Sequence, residues 1–347
     1  MPRVVGIDPG TVSIDACGLS GGRVVIDRSW PTAEVLADPA GFAADLSIHG
    51  APDLVAGLSG YGMPLRRAAE TSDHDLRLAF LARKGEQGGI GGLRLLTRAL
   101  ADAGLPLLLL PGVIHLDTVP EHRKINRIDL GTSDKLCAAA LGIHDQALRL
   151  GGHPRETAFV LLELGGAFTA AIAVQNGKVV DGIGGSSGPI GWQAAGALDG
   201  EVAYLAGTID KAMLFQGGVT TVAASDRHAA GAGFDAFIEG AVKAVRQMLV
   251  SAPLASEVLV SGRIASDPAV RERLAAGLDD IEVRHLTGFA SHGKQGAQGA
   301  ALLADGLAGG THRELVETMR ISEASGTSLD HLYVVTPEAA RHALDLA

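Results

Sequence analysis

Short apolar runs punctuated by glycine open the chain. Residues 3–8, 12–19 and 23–28 predict three strands, and Ser20-Gly21-Gly22 is a tight hairpin connection because glycine supplies the positive φ such turns need. Residues 40–48 predict a helix. The run 53–58 predicts a buried strand that ends in the loop Ser59-Gly60-Tyr61-Gly62. Helical periodicity covers 64–84 and 90–103, and the apolar run 105–111, bracketed by Gly and Pro, predicts a central strand. Thr132 or Ser133 is a good cap for a helix over about 133–149 that stops at Gly151-Gly152. A second meander over 158–183 turns at Gln175-Asn176-Gly177. After a Gly/Ser-rich stretch, helices are expected at 199–207, 208–216 and 233–251, then a strand at 257–261 and a helix from Asp267-Pro268. A strand at 281–286, a small-residue helix at 294–308, a strand at 332–335 and a helix opened by Pro337 complete the chain.

The pattern repeats. Shifted by 155 positions, residues 6–25 overlay on 161–180 without a gap, placing Asp8 on Glu163, Gly10 on Gly165 and Gly22 on Gly177. Each copy is an apolar strand, an acidic residue, a Gly turn and two further strands. Strands alternating with helices in both halves predict an α/β protein of two domains, 1–155 and 156–347, each a mixed sheet flanked by helices. A length of 347 residues fits two domains of ordinary size.

Composition narrows the function classes. A net charge of −10, no basic stripe and 4% aromatic content argue against a nucleic-acid surface. No apolar run is long enough for a membrane span, and the opening residues read directly as a strand, so a cytoplasmic protein is expected. Cys17 and Cys137 lack metal or redox spacing, and the twelve histidines form no ligand cluster.

Four stretches carry candidate chemistry. In Asp8-Pro9-Gly10-Thr11 the carboxylate can hold Mg²⁺ directly or through water, glycine lets the backbone approach a phosphate, and Thr11 offers a hydroxyl and an N–H. Glu163-Leu164-Gly165-Gly166 is its counterpart. Ser261-Gly262-Arg263, between a strand and a helix, lets backbone lie against an adenine or ribose. The helix 294–308, with Gly296, Ala297, Gly299, Ala300 and Ala301, allows close helix–helix packing where two domains cross.

In this order the four features resemble the superfamily of actin, the heat-shock ATPases, sugar kinases and acetate kinase. Within it the chain is most similar to acetate and butyrate kinases and to a group of predicted butyrate kinases. Glu163-Leu164-Gly165-Gly166 is similar to their second phosphate motif, Leu130-Gly131-Thr132-Ser133 to their His-Gly-Thr-Ser stretch, and Leu116-Asp117-Thr118 to their Phe-Asp-Thr. Leu130 and Glu163 stand where acetate kinases have histidines, and Asp8 where they have Asn. The resemblance implies two actin-like (ribonuclease H-like) domains with a nucleotide cleft between them, ATP/ADP and Mg²⁺ as cofactors, and a homodimer.

On that reading Gly10, Thr11, Gly165 and Gly166 contact the phosphates, Asp8 orients Mg²⁺ with Glu163 as a second candidate, and Gly262 lies against the adenosine. A carboxylate acceptor needs cations, for which Arg66, Arg67, Arg123 and Arg127 are candidates. A hydroxyl acceptor, as in a sugar or polyol, needs a carboxylate base, for which Asp117 and Asp134 are candidates. Lys135 is close enough to reach a phosphate, and the loop 59–64 can line the acceptor pocket. An ATP-binding sensor without a small acceptor is the third reading.

Overall fold

The computed structural model describes residues 1–10, 12–57, 59–86, 92–225 and 231–346. Two sheets carry the architecture. In the first half, β1 (Arg3–Pro9), β2 (Ser13–Ser20), β3 (Arg23–Pro31), β4 (Leu54–Gly57), β5 (Arg66–Arg67) and β6 (Leu107–Leu109) are ordered β3-β2-β1-β4-β6-β5. In the second half, β7 (Ala158–Leu164), β8 (Thr169–Gln175), β9 (Lys178–Ile183), β10 (Glu257–Ser261) and β11 (Glu282–His285) are ordered β11-β10-β7-β8-β9.

The sequence repeat is a structural repeat. In each half an antiparallel meander is followed by a parallel strand beside its first member, β4 beside β1 and β10 beside β7. Both hairpins turn through paired left-handed residues, Gly21-Gly22 and Asn176-Gly177, whose twist matches that of the flanking strands. The irregularities also correspond. The register slips between Gly18 and Leu19 in β2, and between Ala173 and Val174 in β8, at positions again 155 apart.

Each sheet buries its outer face under helices of its own half. Val5, Ile7 and Val55 pack with Phe42, Phe80 and Leu100 on the first sheet; Val160, Leu162 and Val258 pack with Phe237, Val245 and Leu274 on the second. The inner faces share one core, built around the helices Ser133–Leu150 and Gln295–Leu307. These two helices exchange halves. The first belongs to the N-terminal half yet lies on the second sheet, where Gly142 meets the Phe159 ring and Gln146 bonds Ala158 and Glu257. The second belongs to the C-terminal half yet lies on the first sheet, so close that a Cβ on Gly6 would stand 2.2 Å from the Ala297 carbonyl oxygen. They cross at Gly299, where a Cβ would be 1.7 Å from the Cys137 carbonyl oxygen. The small residues of the second helix are therefore required by this crossing.

Three expected elements differ. The stretch 64–84 is not one helix. Arg66–Arg67 adds an edge strand to β6, Ala68–Glu70 forms a single tight turn, and the helix Asp73–Phe80 starts afresh at a reciprocal Ser72/Asp75 cap. Within 208–216 only the turn Met213–Phe215 is helical. Residues 332–335 form no strand: the Tyr333 and Val334 amides donate to the Asn126 side chain instead of to a neighbouring strand. Among the described residues no helix is long and apolar enough to cross a membrane. Cys17 and Cys137 are free and buried.

Candidate functional site

Strand periodicity aims the repeated acids. Successive side chains on a strand point to opposite faces. Val4 lies in the inner core and Gly6 lies under the crossing helix, so Asp8 follows them inward. On β7, Phe159 and Leu161 are in the inner core, so Glu163 does the same. The two carboxylates thus emerge at the ends of paired strands, facing the gap between the sheets.

The helix Ser133–Leu150 brings a cation between them. Lys135 Nζ lies 3.0 Å from Glu163 Oε1 and 2.5 Å from Asp134 Oδ2. Thr132, the residue before the helix, donates its hydroxyl to the other Asp134 oxygen at 2.5 Å. From the other side, Lys294 at the start of the second crossing helix lies 2.7 Å from Asp15 Oδ2 and donates to the Ser13 carbonyl at 3.2 Å. Asp15 is buried directly across the ladder from Asp8.

The acids are held in different states. Burial, with Asp134 beside it, pushes the Asp8 carboxyl up to about 7, against the pull of Lys294 and Lys135. Burial also raises Glu163, although Lys135 opposes it. Burial works against ionising Asp134, but Lys135 and Thr132 outweigh it and hold that carboxyl below its ordinary range. For Lys135 the same balance, burial against Asp134 and Glu163, leaves the ammonium well above its ordinary range. Asp8 makes no hydrogen bond or ion pair with any described residue, so it is the acid in want of a cation.

The loops around this cluster are close-fitting. Gly10 donates its N–H to Ser13, and a Cβ there would stand 2.7 Å from Lys294 Nζ. Gly165 donates to the Phe168 carbonyl, while Gly166 faces open space. Gly262, at φ +94°, lies against the Leu164 backbone, directly beneath the Glu163 loop. Beside it Ser261, opposite Glu163 in the ladder, keeps a buried hydroxyl with no partner among the described residues. Thr11 lies outside the described residues.

A cavity of about 170 Å³ opens beside Asp134 and Lys135, between the two halves. Its walls are mainly apolar: Tyr61, Phe80 and Leu93 from the first half, Phe168, Leu214 and Phe215 from the second. Phe168 and Phe215 meet edge to face, with centroids 4.9 Å apart. Lys211 crosses from the second half to donate to the Phe80 carbonyl at 2.8 Å. On the polar wall, buried Asp129 accepts from the Ser186 amide and hydroxyl, each at 3.0 Å, and from the Gly131 amide. Burial and Asp129 raise the Tyr61 phenol.

Of the residues singled out from sequence, the structure gathers Asp8, Gly10, Glu163, Gly165, Gly166, Asp134 and Lys135 into one cleft. Asp117 falls outside it. It is exposed and paired with Arg320 at 2.5 Å, because the turn after Leu116 points it away from the inner face. Arg127 is exposed in a surface turn. Arg66 pairs with Asp75, Arg67 is exposed, and Arg123 donates to the Val180 carbonyl on β9. The loop 59–64 does contribute Gly60 and Tyr61 to the cavity. Lys294, Asp15, Asp129, Ser186 and Lys211 were not foreseen. Only Lys294 had a local signal, as the residue opening a helix of small residues.

The sequence matches the family described as "Protein of unknown function (DUF1464)" over residues 6–334. The chain belongs to this family. No curated protein matches this DUF1464 chain in sequence. In fold it is similar to a propionate kinase from Francisella tularensis subsp. tularensis SCHU S4, at 13% identity and TM-score 0.60, covering 87% of this chain and 98% of that one. It is likewise similar to the acetate kinase of Entamoeba histolytica, at 11% identity and TM-score 0.54, covering 80% and 86%. The Porphyromonas gingivalis acetate kinase aligns at 12% identity and TM-score 0.53, covering 81% and 88%. The DUF1464 protein thus has the two-domain actin-like fold of these kinases.

Proposed function

We propose that this DUF1464 protein is an ATP-dependent phosphotransferase whose acceptor is a small molecule, most simply a carboxylate that becomes an acyl phosphate. The observation that carries the reading is that the two repeated acidic turns, from opposite halves, each meet a lysine in one cleft: Glu163 pairs with Lys135, and Lys294 stands against Gly10 in the Asp8 turn. A twofold cradle of this kind grips a chain of phosphates from both sides.

The residues fit a magnesium nucleotide. Asp8 is a buried acid without a hydrogen-bond or ion-pair partner among the described residues, and Mg²⁺ is ordinarily held by one or two carboxylates together with phosphate oxygens and water. Asp8 would hold the ion, with Glu163 nearby, and when bound the ion supplies charge neutralisation at the phosphates. The remaining work falls to the chain itself. Phosphoryl transfer asks chiefly for positioning and for positive charge around the transferred group. Lys135 and Lys294 supply that charge from the two halves. The open face of Gly166 lets a phosphate approach the backbone, and Gly262 sets the height of the Glu163 loop.

Two features favour a carboxylate over a sugar. Asp134, the acid beside the cavity, is occupied by Lys135 and Thr132 and held ionised, so it is a weak base for a hydroxyl. A carboxylate is already a nucleophile and needs no base. The cavity wall is also mainly apolar, which suits an alkyl chain better than a ring of hydroxyls. The solved proteins of similar fold are named for acetate and propionate, and butyrate belongs to the same acceptor class.

The test is a screen of short-chain acids and sugars for acceptor-dependent ADP release, with hydroxylamine trapping of any acyl phosphate, on wild type and Asp8→Ala. Acid-dependent hydroxamate that disappears in Asp8→Ala is expected. Sugar-dependent ADP release without hydroxamate would replace this reading by a sugar kinase. Nucleotide binding without stimulation by any acceptor would replace it by a nucleotide sensor.

A further inference from the structure

We propose that the cavity between the halves is a binding site for an organic acid with one carboxylate and a compact apolar body about the size of a benzene ring, and that Lys211 holds the carboxylate. The proposal rests on the phosphotransferase reading only in naming this acid as the acceptor.

The size comes from the space available. A volume of about 170 Å³ is close to that of an apolar cavity of about 150 Å³ known to accept benzene. The shape comes from the walls. Phe80, Leu93, Phe168, Leu214 and Phe215 offer flat and branched apolar surface, with Phe168 and Phe215 set edge to face. Such a wall rewards an apolar body and penalises hydroxyls that find no partner.

The charge comes from counting free donors. The other polar groups on the wall are bonded to one another. Asp129 takes the Ser186 hydroxyl and two amides, Thr132 is spent on Asp134, and Lys135 is shared by Asp134 and Glu163. Lys211 is different. An ammonium has three donors, and among the described residues this one makes a single hydrogen bond, to the Phe80 carbonyl. It forms no ion pair with a described residue. Burial lowers its pKa, with the exposed Glu86 only partly offsetting that, and a carboxylate placed beside it would favour the charged form. Lys211 also reaches from the second half to touch the first, so an acid bound to it bridges the halves.

The experiment is isothermal titration of the purified full chain, with phenylacetate, isovalerate, acetate, 2-phenylethanol and glucose as probes, and Mg²⁺–ATP titrated separately. Phenylacetate and isovalerate are expected to bind, and acetate, 2-phenylethanol and glucose to bind at least roughly 10-fold more weakly. Lys211→Met should weaken phenylacetate by roughly 10- to 100-fold, as expected for loss of a charged hydrogen bond, and leave the ATP affinity within about twofold. Lys211→Arg should recover most of the loss, which a merely structural role would not produce. The proposal is overturned if 2-phenylethanol or glucose binds as tightly as phenylacetate, or if Lys211→Met, folded by circular dichroism, binds phenylacetate like wild type. It is equally overturned if Mg²⁺–ATP binds and none of the acids does. Acid binding that depends on Lys211, in a protein that fails to bind Mg²⁺–ATP, would sustain the acid site and refute the nucleotide reading instead.

Discussion

Asp8→Asn should make the protein more stable at neutral and alkaline pH. Asp8 is the one acid of the cluster with no partner among the described residues, and burial lifts its carboxyl from 3.8 to about 7. An acid raised in the folded state contributes stability that is complete below its unfolded value and is lost as pH climbs through the folded value. The loss therefore falls between about pH 4 and pH 7. At 1.36 kcal/mol per unit, the penalty at pH 8 is about 2–4 kcal/mol, the upper end being the full shift. Asparagine has the shape of the neutral acid and carries none of this cost. Chemical denaturation of both proteins at pH 4.5 and pH 8 should show an advantage for Asp8→Asn of about 1 kcal/mol at the lower pH and a clearly larger one at the higher. Magnesium nucleotide should then stabilise wild type and not the variant, because the cation satisfies the ionised acid. A variant less stable than wild type at pH 8, or a difference that does not change with pH, would refute the assignment of Asp8 as an uncompensated acid.

Other substitutions probe the same architecture. Lys135→Met removes the ammonium that Asp134 and Glu163 share, and should lower turnover by roughly 10²–10³. The same change should destabilise the fold by about 2–4 kcal/mol in denaturant melts, with Glu163→Gln in the same chain returning part of the loss. Gly299→Ala places a methyl group against the Cys137 backbone at the helix crossing, and should cost about 3 kcal/mol or more in a thermal melt, whereas Gly166→Ala, in open space, should melt near wild type. Asp129→Ala orphans the Ser186 and Gly131 amides and should cost about 2–4 kcal/mol, with faster amide exchange at Ser186 as its signature.

Much of the fold was legible because its signals are local. The hairpins needed left-handed turns, and Gly21-Gly22 and Asn176-Gly177 supply them. The Asp267-Pro268 cap opens its helix, with Asp267 accepting from the Ala269 amide. The misreadings were of the opposite kind. The apolar positions of 64–84 satisfied a helical period, but Arg66–Arg67 had a sheet edge available and Ser72 offered a new helix start. The apolar residues Tyr333, Val334 and Val335 look like a strand, yet the Tyr333 and Val334 amides are taken by the Asn126 side chain. Whether a strand has a neighbour is a property of the assembled sheet.

The site divides along the same line. The 155-residue repeat, together with the twofold period of a strand, determined that Asp8 and Glu163 occupy equivalent strand ends and point toward the same side of their sheets. Backbone geometry enforces both within a few residues. Which cation stands between them, that Asp117 turns away to Arg320, and that aromatic side chains from 61, 80, 168 and 215 enclose one hollow were decided only when two helices exchanged halves and crossed at Gly299. Those contacts join residues far apart in the chain, and close packing, which no short window of sequence records, selects them.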